Sequence, residues 1–505
     1  MNTFLNNMKA NSNYTLTDNG AIAHRSTLNK VLDMYAFGGA YRNRSDNDCI
    51  VLFKEAFESD RTLAVRCLFY LRDVRGGQGE RRFFRVCFKW LAETYPAVAI
   101  KLLNHIAEYG RWDDLIIAAE GTPVEKNAFA IIKHQLALDL ECKTPSLLAK
   151  WMPSENTSSK KTRALATKMR KYLKMTHKQY RKVLSTLRAR INIVERLMSA
   201  GKWDKIEFDK IPSKAGLIYK NAFAKRDIIA KKYEAFAKNT ETKVNTKALY
   251  PHEIAQKCFE NRDSDYHSVD RLMLQKYWDN LPNFYGDNEE NGLAIVDVSG
   301  SMYGLPLNAA VSLGAYMAEK AHGPFAGHFV TFSERPELVE FSGVDITDKF
   351  KRAEKADWMM NTNLEAVFDL LLKTAKSAGT KKEDMPTRLY ILSDMQFDGH
   401  ITYGAPVVTR NLYWSTNGSV CRGMDGVNTL VDTIAAKWRA AGYELPSIVW
   451  WNLNASNNTI PAIGKGFSYV SGFSPSILKS ILSGKDGIDL MLETLNSDRY
   501  SAINL

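Results

Sequence analysis

The last two-fifths of the chain alternates short apolar runs with helical segments, and this alternation limits the fold more than any other feature. The runs are rich in β-branched and aromatic residues, and they lie at 293–299, 327–333, 388–394, 446–453 and 467–473. The helical segments between them include Leu305 to Ala321, Leu364 to Lys376 and Val427 to Ala441. Strands that alternate with helices are typical of a parallel sheet with helices on both faces. We therefore predict a Rossmann-like α/β domain with a parallel-rich sheet over residues 286–505.

The preceding part of the chain has helical patterns from about residue 22 to residue 285. Apolar residues such as Leu28, Val31, Leu32 and Tyr35 recur at helical spacing, and strand-like alternation is scarce. Pairs of helices with short turns favour either a bundle or an α-solenoid. We predict an all-helical, HEAT-like domain over residues 1–285, whose closure into a ring the sequence leaves open. The polar, turn-rich stretch that follows Trp278 is interpreted as the linker.

Size, charge and cysteine usage narrow the class of protein. The chain has 505 residues, a formal net charge of +12 and a sequence pI of about 9.1, which favour several domains and a polyanionic partner. None of its six cysteines stands in a C-x-x-C pair, which indicates reduced structural thiols in an intracellular protein. No run of about 18 apolar residues occurs, so we expect no membrane span, a cytoplasmic location and, by preference, a monomer.

A cluster of oxygen ligands follows the first apolar run of the α/β domain. Asp297, Ser299 and Ser301 stand at alternate positions after this run, and Gly300 allows a tight turn between the serines. In a parallel sheet, ligand groups gather beyond the carboxyl ends of the strands. One carboxylate and two hydroxyls are hard ligands, suited to Mg²⁺ rather than Zn²⁺.

Two further side chains complete the predicted cation site. Asp394 ends the run LYILSD, and Thr362 precedes a helical segment. We predict that Asp297, Ser299, Ser301, Thr362 and Asp394 bind Mg²⁺ or another divalent cation such as Mn²⁺ or Ca²⁺, with one coordination position open to a partner's carboxylate or phosphate. The alternative is that the serines only cap the next helix and Asp297 binds no metal.

The helical domain contains a basic stretch without acidic residues. No Asp or Glu occurs between Asn156 and Val194, and Tyr172 and Tyr180 lie among the cations. A helix with a basic face is a plausible phosphate-binding surface, and the tyrosines could stack on unpaired bases. The alternative is an ordinary solvated face. The candidate RNA-binding residues of the stretch are Lys160, Lys161, Arg163, Lys168, Arg170, Lys171, Lys174, Lys178, Arg181 and Lys182.

A second basic segment is RDVRGGQGERRFFR at 72–85. It is no P-loop, because no G-K-[ST] follows the glycines. The glycines can end one helix and Glu80 to Arg82 can begin the next. Contact with RNA and a structural turn, in which the arginines pair with Asp73 and Glu80, are equally compatible with the pattern. Its candidate RNA-binding residues are Arg72, Arg75, Arg81 and Arg82.

Several motifs together resemble a family of two-domain proteins of unknown function with members in plants, fungi, bacteria and phages. They are NGA (19–21), FYLRDVRGGQGERR (69–82), YGRWDDL (109–115), AKWMPS (149–154), AIVDVSGSM (294–302), YILSDMQF (390–397) and VSGFSP (470–475). The metal motif resembles the metal-ion-dependent adhesion site of von Willebrand factor A domains. The layout is distantly similar to the Ro ribonucleoproteins, in which a TROVE module of HEAT-like helices is joined to such a domain and binds small noncoding or single-stranded RNA.

The resemblance implies a non-enzymatic RNA-binding protein, a ribonucleoprotein component with a Mg²⁺-bearing C-terminal domain. Two rivals remain. A metal-dependent interaction scaffold would bind a partner's Asp or Glu through the cation and have no RNA ligand. A metal-dependent phosphotransfer enzyme or nuclease is disfavoured, since no general base is evident near the single metal motif.

Overall fold

The computed structural model describes residues 13–191, 193–246, 249–261, 263–265, 268–286, 290–332, 335–355, 362–399, 413–414, 420–421 and 429–505. The strands are β1 (Tyr14–Leu16), β2 (Ile22–His24), β3 (Gly292–Asp297), β4 (His328–Phe332), β5 (Leu338–Glu340), β6 (Arg388–Ser393), β7 (Tyr413–Trp414), β8 (Val420–Cys421), β9 (Ser447–Asn452) and β10 (Phe467–Ser471).

The helices are α1 (Lys30–Phe37), α2 (Asp46–Ser59), α3 (Arg61–Arg72), α4 (Arg81–Thr94), α5 (Pro96–Tyr109), α6 (Trp112–Ala119), α7 (Glu125–Glu141), α8 (Leu148–Trp151), α9 (Lys160–Tyr172), α10 (His177–Ile191), α11 (Val194–Ser199), α12 (Ser213–Ala224), α13 (Asp227–Lys238), α14 (Pro251–Glu260), α15 (Val269–Asp279), α16 (Leu305–Lys320), α17 (Ile346–Ala353), α18 (Leu364–Ala378), α19 (Leu430–Ala440), α20 (Ile477–Ile481), α21 (Gly487–Leu495) and α22 (Asp498–Ser501).

The chain forms two compact units. The sheet unit comprises Met1–Cys67 and Leu249–Arg499, and the helical unit comprises Leu68–Ala248 and Tyr500–Leu505. This grouping differs from the division at residue 285 that the sequence pattern predicts, because it follows packing rather than the change from helical to strand periodicity.

The sheet unit contains a six-stranded sheet with the strand order β10-β9-β6-β3-β4-β5. All neighbouring strands run parallel except β5, which pairs antiparallel with β4. The prediction of a parallel-rich α/β sheet is confirmed, and each of the five apolar runs overlaps one of its strands. The first residues of the predicted segment Val427 to Ala441 lie outside the described residues, and α19 begins at Leu430.

Helix α16 packs directly on strand β3, which delivers the metal motif. A Cβ atom on Gly314 would stand 2.4 Å from the Cγ2 atom of Val296, so only glycine allows the helix and strand to approach this closely. Strand β3 and the middle of α16 are buried, and this packing fixes the loop at residues 298–304 that joins them.

The N-terminal residues pack into the sheet unit rather than forming part of a separate helical domain. Helix α1 contacts strand β10, and the amide of Gly39 donates to the hydroxyl of Ser471 at 2.9 Å. A Cβ atom on Gly39 would stand 2.6 Å from the Ser471 carbonyl oxygen. Ahead of α1, strands β1 and β2 form an antiparallel hairpin. The prediction of an all-helical region over residues 1–285 is therefore corrected for residues 14–24, which form this hairpin.

The helical unit consists of consecutive helices in contact, such as α4 with α5, α5 with α6, and α12 with α13. Its core is formed by the apolar faces that the periodicity predicts, including Leu102, Ile106 and Leu136. A helical N-terminal region is thus confirmed. In the part of the chain that the structure describes, no helix has the length and apolar character needed to span a membrane.

Candidate functional site

The strand β3 ends in a buried aspartate whose two oxygens are both held. Asp297 is fully buried, and its Oδ1 accepts a hydrogen bond from the Ser299 amide at 2.9 Å. Its Oδ2 accepts from the hydroxyl of Ser393, the last residue of β6. Burial and the charge of the nearby Asp394 carboxylate raise the pKa of Asp297 above its ordinary value. The sheet therefore brings the ends of β3 and β6 together, as the sequence predicts.

Asp394 carries the clearest sign of a missing partner. The side chain is buried, and its Oδ1 accepts from the Gln396 amide at 3.1 Å. Its Oδ2 is also buried, and among the described residues it has no hydrogen-bond partner. Burial raises the pKa of Asp394, although the hydroxyl of Ser301 lowers it. Buried carboxylate oxygens are nearly always paired or bound to a cation, so this atom indicates a ligand.

The turn after β6 holds this carboxylate in place. Met395 adopts φ +64°, a conformation that a residue with a side chain rarely takes, and its amide donates to the Ser393 hydroxyl at 3.0 Å. Such strain persists where the surroundings enforce it, and it is common at functional sites. Gln396 donates to the hydroxyl of Thr459 at 3.0 Å, which anchors the far side of the turn.

The two serines line the same loop. The hydroxyls of Ser299 and Ser301 lie 3.1 Å apart. Ser299 is buried and Ser301 is exposed, so the pair leads from the carboxylates toward solvent. Asp297, Ser299, Ser301 and Asp394 thus form one connected group at the carboxyl edge of the sheet.

Thr362 joins this group through intermediates. It lies two residues before α18 and is buried, with its hydroxyl donating to Asp398 Oδ1 at 2.9 Å. The same hydroxyl accepts from Asn19 Nδ2 at 2.6 Å, and Nδ2 also donates to the Gln396 carbonyl at 2.8 Å. These two bonds hold the Thr362 hydroxyl in one orientation at this edge of the sheet. Sequence reasoning missed Asn19, Gln396 and Asp398. The motifs NGA and YILSDMQF contain the first two, and Asp398 directly follows the second motif.

These residues fit a hard divalent cation. They offer two buried carboxylates, one of them with an unpartnered oxygen, and three hydroxyls, which are the donors that Mg²⁺ prefers. Within the described ranges, no group of three or more His, Cys, Asp or Glu side chains is arranged for a metal. The candidate site therefore depends on its hydroxyls as well as its two carboxylates. Among the described residues, no cluster of thiolates or imidazoles offers an alternative metal site.

The acid-free basic stretch forms helices α9 and α10, and several of its cations have acidic partners from elsewhere in the helical unit. Lys161 lies 3.7 Å from Glu120, Lys168 pairs with Glu125, and Arg170 pairs with Glu155 at 2.8 Å. Arg163 donates to the main-chain carbonyls of Thr157 and Ser158, which lie just before α9. The exposed cations without an ion-pair partner among the described residues, which we name the basic surface, are Lys160, Lys171, Lys174, Lys178, Arg181 and Lys182.

The tyrosines of this stretch are used in packing. Tyr180 is buried, and its hydroxyl donates to the Pro153 carbonyl at 2.8 Å. Tyr172 is half-buried and stands edge-on against Phe129 at 5.3 Å between ring centroids. The expectation that both tyrosines stack on bases is wrong for Tyr180, because its ring belongs to the core.

The arginine segment at 72–85 divides into a buried and an exposed part. Arg72 is buried and pairs with the buried Asp114 at 2.6 Å. Arg85 bonds both Asp113 and Asp114, so its charge is compensated. Arg72 is therefore corrected from a candidate RNA contact to a structural residue, because its guanidinium does not reach the surface. The exposed arginines of the segment are Arg75, Arg81 and Arg82.

The fold and the site define an α/β protein with an aspartate- and hydroxyl-lined sheet edge and a helical companion unit. The domain of unknown function DUF7788 matches residues 291–501, and the domain of unknown function DUF2828 matches residues 17–118 and 144–281. The chain is 30% identical over 522 residues to "Uncharacterized protein L728" of Acanthamoeba polyphaga mimivirus, covering 94% of this chain and 86% of that protein. The chain belongs to the two-domain family that combines these domains.

Proposed function

We propose that the protein is a non-enzymatic RNA-binding protein whose sheet unit is a von Willebrand A-type domain that binds Mg²⁺ or a similar divalent cation. The order and placement of the ligands support the domain type, since the D-x-S-x-S motif follows β3 and Asp394 follows the adjacent β6. The observation that carries the metal proposal is the buried, unpartnered Oδ2 atom of Asp394.

Asp297, Ser299, Ser301, Thr362 and Asp394 would hold the cation. When bound, it would neutralise the carboxylate pair and offer a coordination position to a carboxylate or phosphate. The protein's own contribution is preorganisation. Ser393 and the Ser299 amide orient Asp297, and the Gln396 amide orients Asp394. Such hydrogen bonds to metal-binding side chains commonly change metal affinity by about 10–100-fold.

Calorimetric titration of the purified protein with Mg²⁺ and Mn²⁺ tests the cation site. The wild type is expected to bind one cation, and Asp394→Asn is expected to weaken binding by about 100-fold or more, because it removes a charge and an unpartnered oxygen. Asp369→Asn is the matched control, since Asp369 is a surface carboxylate of the same unit. Equal binding by the wild type and Asp394→Asn would contradict the proposal.

RNA binding is supported by the basic surface, whose cations are exposed and lack acidic partners, and by the Ro-like layout. Unpaired surface lysines release counterions from a polyanion, which drives binding at low salt. Recovery and sequencing of co-purified RNA identifies the ligand. Changing Lys171, Lys174, Lys178 and Lys182 to Gln is expected to lower RNA affinity by at least about tenfold.

The control for this variant keeps the same change in net charge. It carries Gln at four exposed lysines of the sheet unit, which are Lys373, Lys376, Lys381 and Lys382. Equal losses in the two variants would show that only net charge matters, which would contradict a specific basic surface.

A metal-dependent interaction scaffold is the second candidate, and one observation favours it. Tyr303, two residues after Ser301, is 83% exposed, and Leu305 is 43% exposed. Exposed apolar side chains beside a metal rim suit a protein partner that donates a carboxylate. Loss of a protein partner in Asp297→Ala with RNA binding intact would favour this candidate. Turnover of RNA that EDTA abolishes would favour a nuclease instead.

A further inference from the structure

The N-terminal hairpin places its turn against the cation site. The turn is closed by hydrogen bonds from the amides of Gly20 and Ala21 to the Thr17 carbonyl and hydroxyl, at 3.1 and 2.8 Å. Gly20 adopts φ +89°, which suits glycine at this corner. Asn19 and Gly20 thus form a tight turn at the tip of the hairpin.

The tip is fastened to the turn after β6 by several hydrogen bonds. The Thr17 hydroxyl donates to the Phe397 carbonyl at 2.6 Å, and the Asp18 amide donates to Gln396 Oε1 at 2.8 Å. The Gly399 amide donates to the Asn19 carbonyl at 3.1 Å. Each bond joins residues almost 380 positions apart in the chain, so the contact belongs to the tertiary fold of the sheet unit.

Asn19 is the central residue of this contact. Its Nδ2 atom donates to the Thr362 hydroxyl at 2.6 Å and to the Gln396 carbonyl at 2.8 Å. The first bond uses one lone pair of the hydroxyl, while the hydroxyl proton is directed to Asp398 at 2.9 Å. The two bonds together fix the orientation of the Thr362 hydroxyl. The second bond ties the same amide to the residue whose main-chain amide holds Asp394.

Asp18 adds a negative charge beside the site, although its carboxylate is not one of the groups that hold the Thr362 hydroxyl. Its carboxylate is held by Ser456 at 3.3 Å and by Asn457, and the hydrogen bond from its main-chain amide to Gln396 places the residue beside the turn that carries Asp394. A third negative charge near two buried carboxylates strengthens the attraction for a cation, and salt screens this contribution because Asp18 is exposed.

We propose that the tip of the N-terminal hairpin, residues 17–20, is a built-in part of the cation site, in which Asn19 is a positioning residue for Thr362 and Asp18 supplies remote charge. This inference rests on the proposed cation site. It assigns a role to the NGA motif. Docking of the hairpin and binding of the cation are then thermodynamically coupled, and each stabilises the other by the same free energy.

Cation affinity of hairpin variants tests this role. Asn19→Ala is expected to weaken Mg²⁺ binding by about 10–100-fold, the usual effect of removing a residue that orients a metal ligand. Asp18→Asn is expected to weaken it only a few-fold, with a difference that disappears at high salt. Thr15→Ala is the control, because Thr15 lies in the hairpin strand β1 and outside the tip at residues 17–20.

The outcomes separate this inference from the proposal on which it rests. Wild-type affinity in Asn19→Ala, together with loss of binding in Asp394→Asn, would overturn the role of the hairpin and leave the cation site standing. No binding by the wild type would sink both. A melting temperature in EDTA that falls in Asn19→Ala, with the Mg²⁺ affinity unchanged, would reduce Asn19 to a structural residue.

A measurement on the wild type covers the case in which Asn19→Ala does not fold. Hydrogen exchange of the amides of Asp18 and Gly20 is expected to slow when Mg²⁺ is added, because a bound cation stabilises the docked tip. An exchange rate that does not change with Mg²⁺ concentrations well above the dissociation constant would overturn the proposal.

Discussion

The candidate cation site of the sheet unit and the basic surface of the helical unit differ in how tightly the fold defines them. At the candidate cation site, oxygens converge from the ends of β3 and β6 and from the residues before α18, and one buried oxygen of Asp394 has no partner among the described residues. On the basic surface, exposed lysines extend into solvent, which satisfies an ammonium group without any ligand. A buried polar group without a partner is costly, whereas an exposed one is solvated by water. The structure therefore points to a ligand at the candidate cation site, and the basic surface carries no such sign.

A second contrast lies within the helical unit itself. Arg72 belongs to a segment that is even richer in arginine than the stretch at 160–190 is in lysine, yet it pairs with Asp114 inside the core. A Cβ atom on Gly110 would stand 2.6 Å from Asp114 Oδ2, which shows how closely the chain packs around this pair. Charge density in a sequence therefore does not distinguish a structural ion pair from a binding surface.

The largest expected effect tests this contrast. Arg72→Ala leaves the buried Asp114 with only part of its charge compensation, and we expect the free energy of unfolding to fall by about 3–5 kcal/mol. Arg181→Ala, on the exposed basic surface, is expected to stay within about 0.5 kcal/mol of the wild type. Urea denaturation followed by circular dichroism measures both. Similar small losses in the two variants would remove the distinction between buried and exposed cations.

The parts of the site that follow a local pattern were predictable from the sequence. Asp297, Ser299 and Ser301 share one loop, and Asp394 stands at the end of an apolar run, so strand ends alone place them on one edge. Asn19 was not predictable as a site residue, because its bonds to Thr362 and Gln396 span more than 340 positions and follow no periodicity.

The acidic partners of the basic stretch were missed for a related reason. Glu120 and Glu125 lie outside the acid-free window, and only the packing of α9 brings them to Lys161 and Lys168. The hairpin before α1 was also missed, although Asn-Gly between two short apolar runs is a hairpin signal.

A smaller expected effect compares the candidate cation site with the basic surface through the thermal stability of the protein. A cation that binds only the folded sheet unit stabilises it by about 2.7 kcal/mol at a concentration 100 times the dissociation constant. The melting temperature of the wild type is therefore expected to rise with Mg²⁺, and that of Asp394→Asn is expected to stay constant over the same concentrations. A variant of the basic surface, such as Lys182→Gln, should respond to Mg²⁺ as the wild type does. An equal rise in all three proteins would point to a general salt effect and not to this site.

The smallest expected effect concerns a single lysine of the basic surface. Lys178→Gln removes one exposed cation from α10, so the slope of log affinity against log salt concentration for single-stranded RNA is expected to fall in magnitude by about 0.7. The affinity at fixed low salt is expected to fall only a few-fold, since a lone surface charge contributes little. Binding measured by fluorescence anisotropy at several salt concentrations checks both values, with Lys376→Gln on the sheet unit as the control. An unchanged slope in Lys178→Gln would mean that this lysine contacts no phosphate. The basic surface would then be an ordinary solvated face and not an RNA-binding surface.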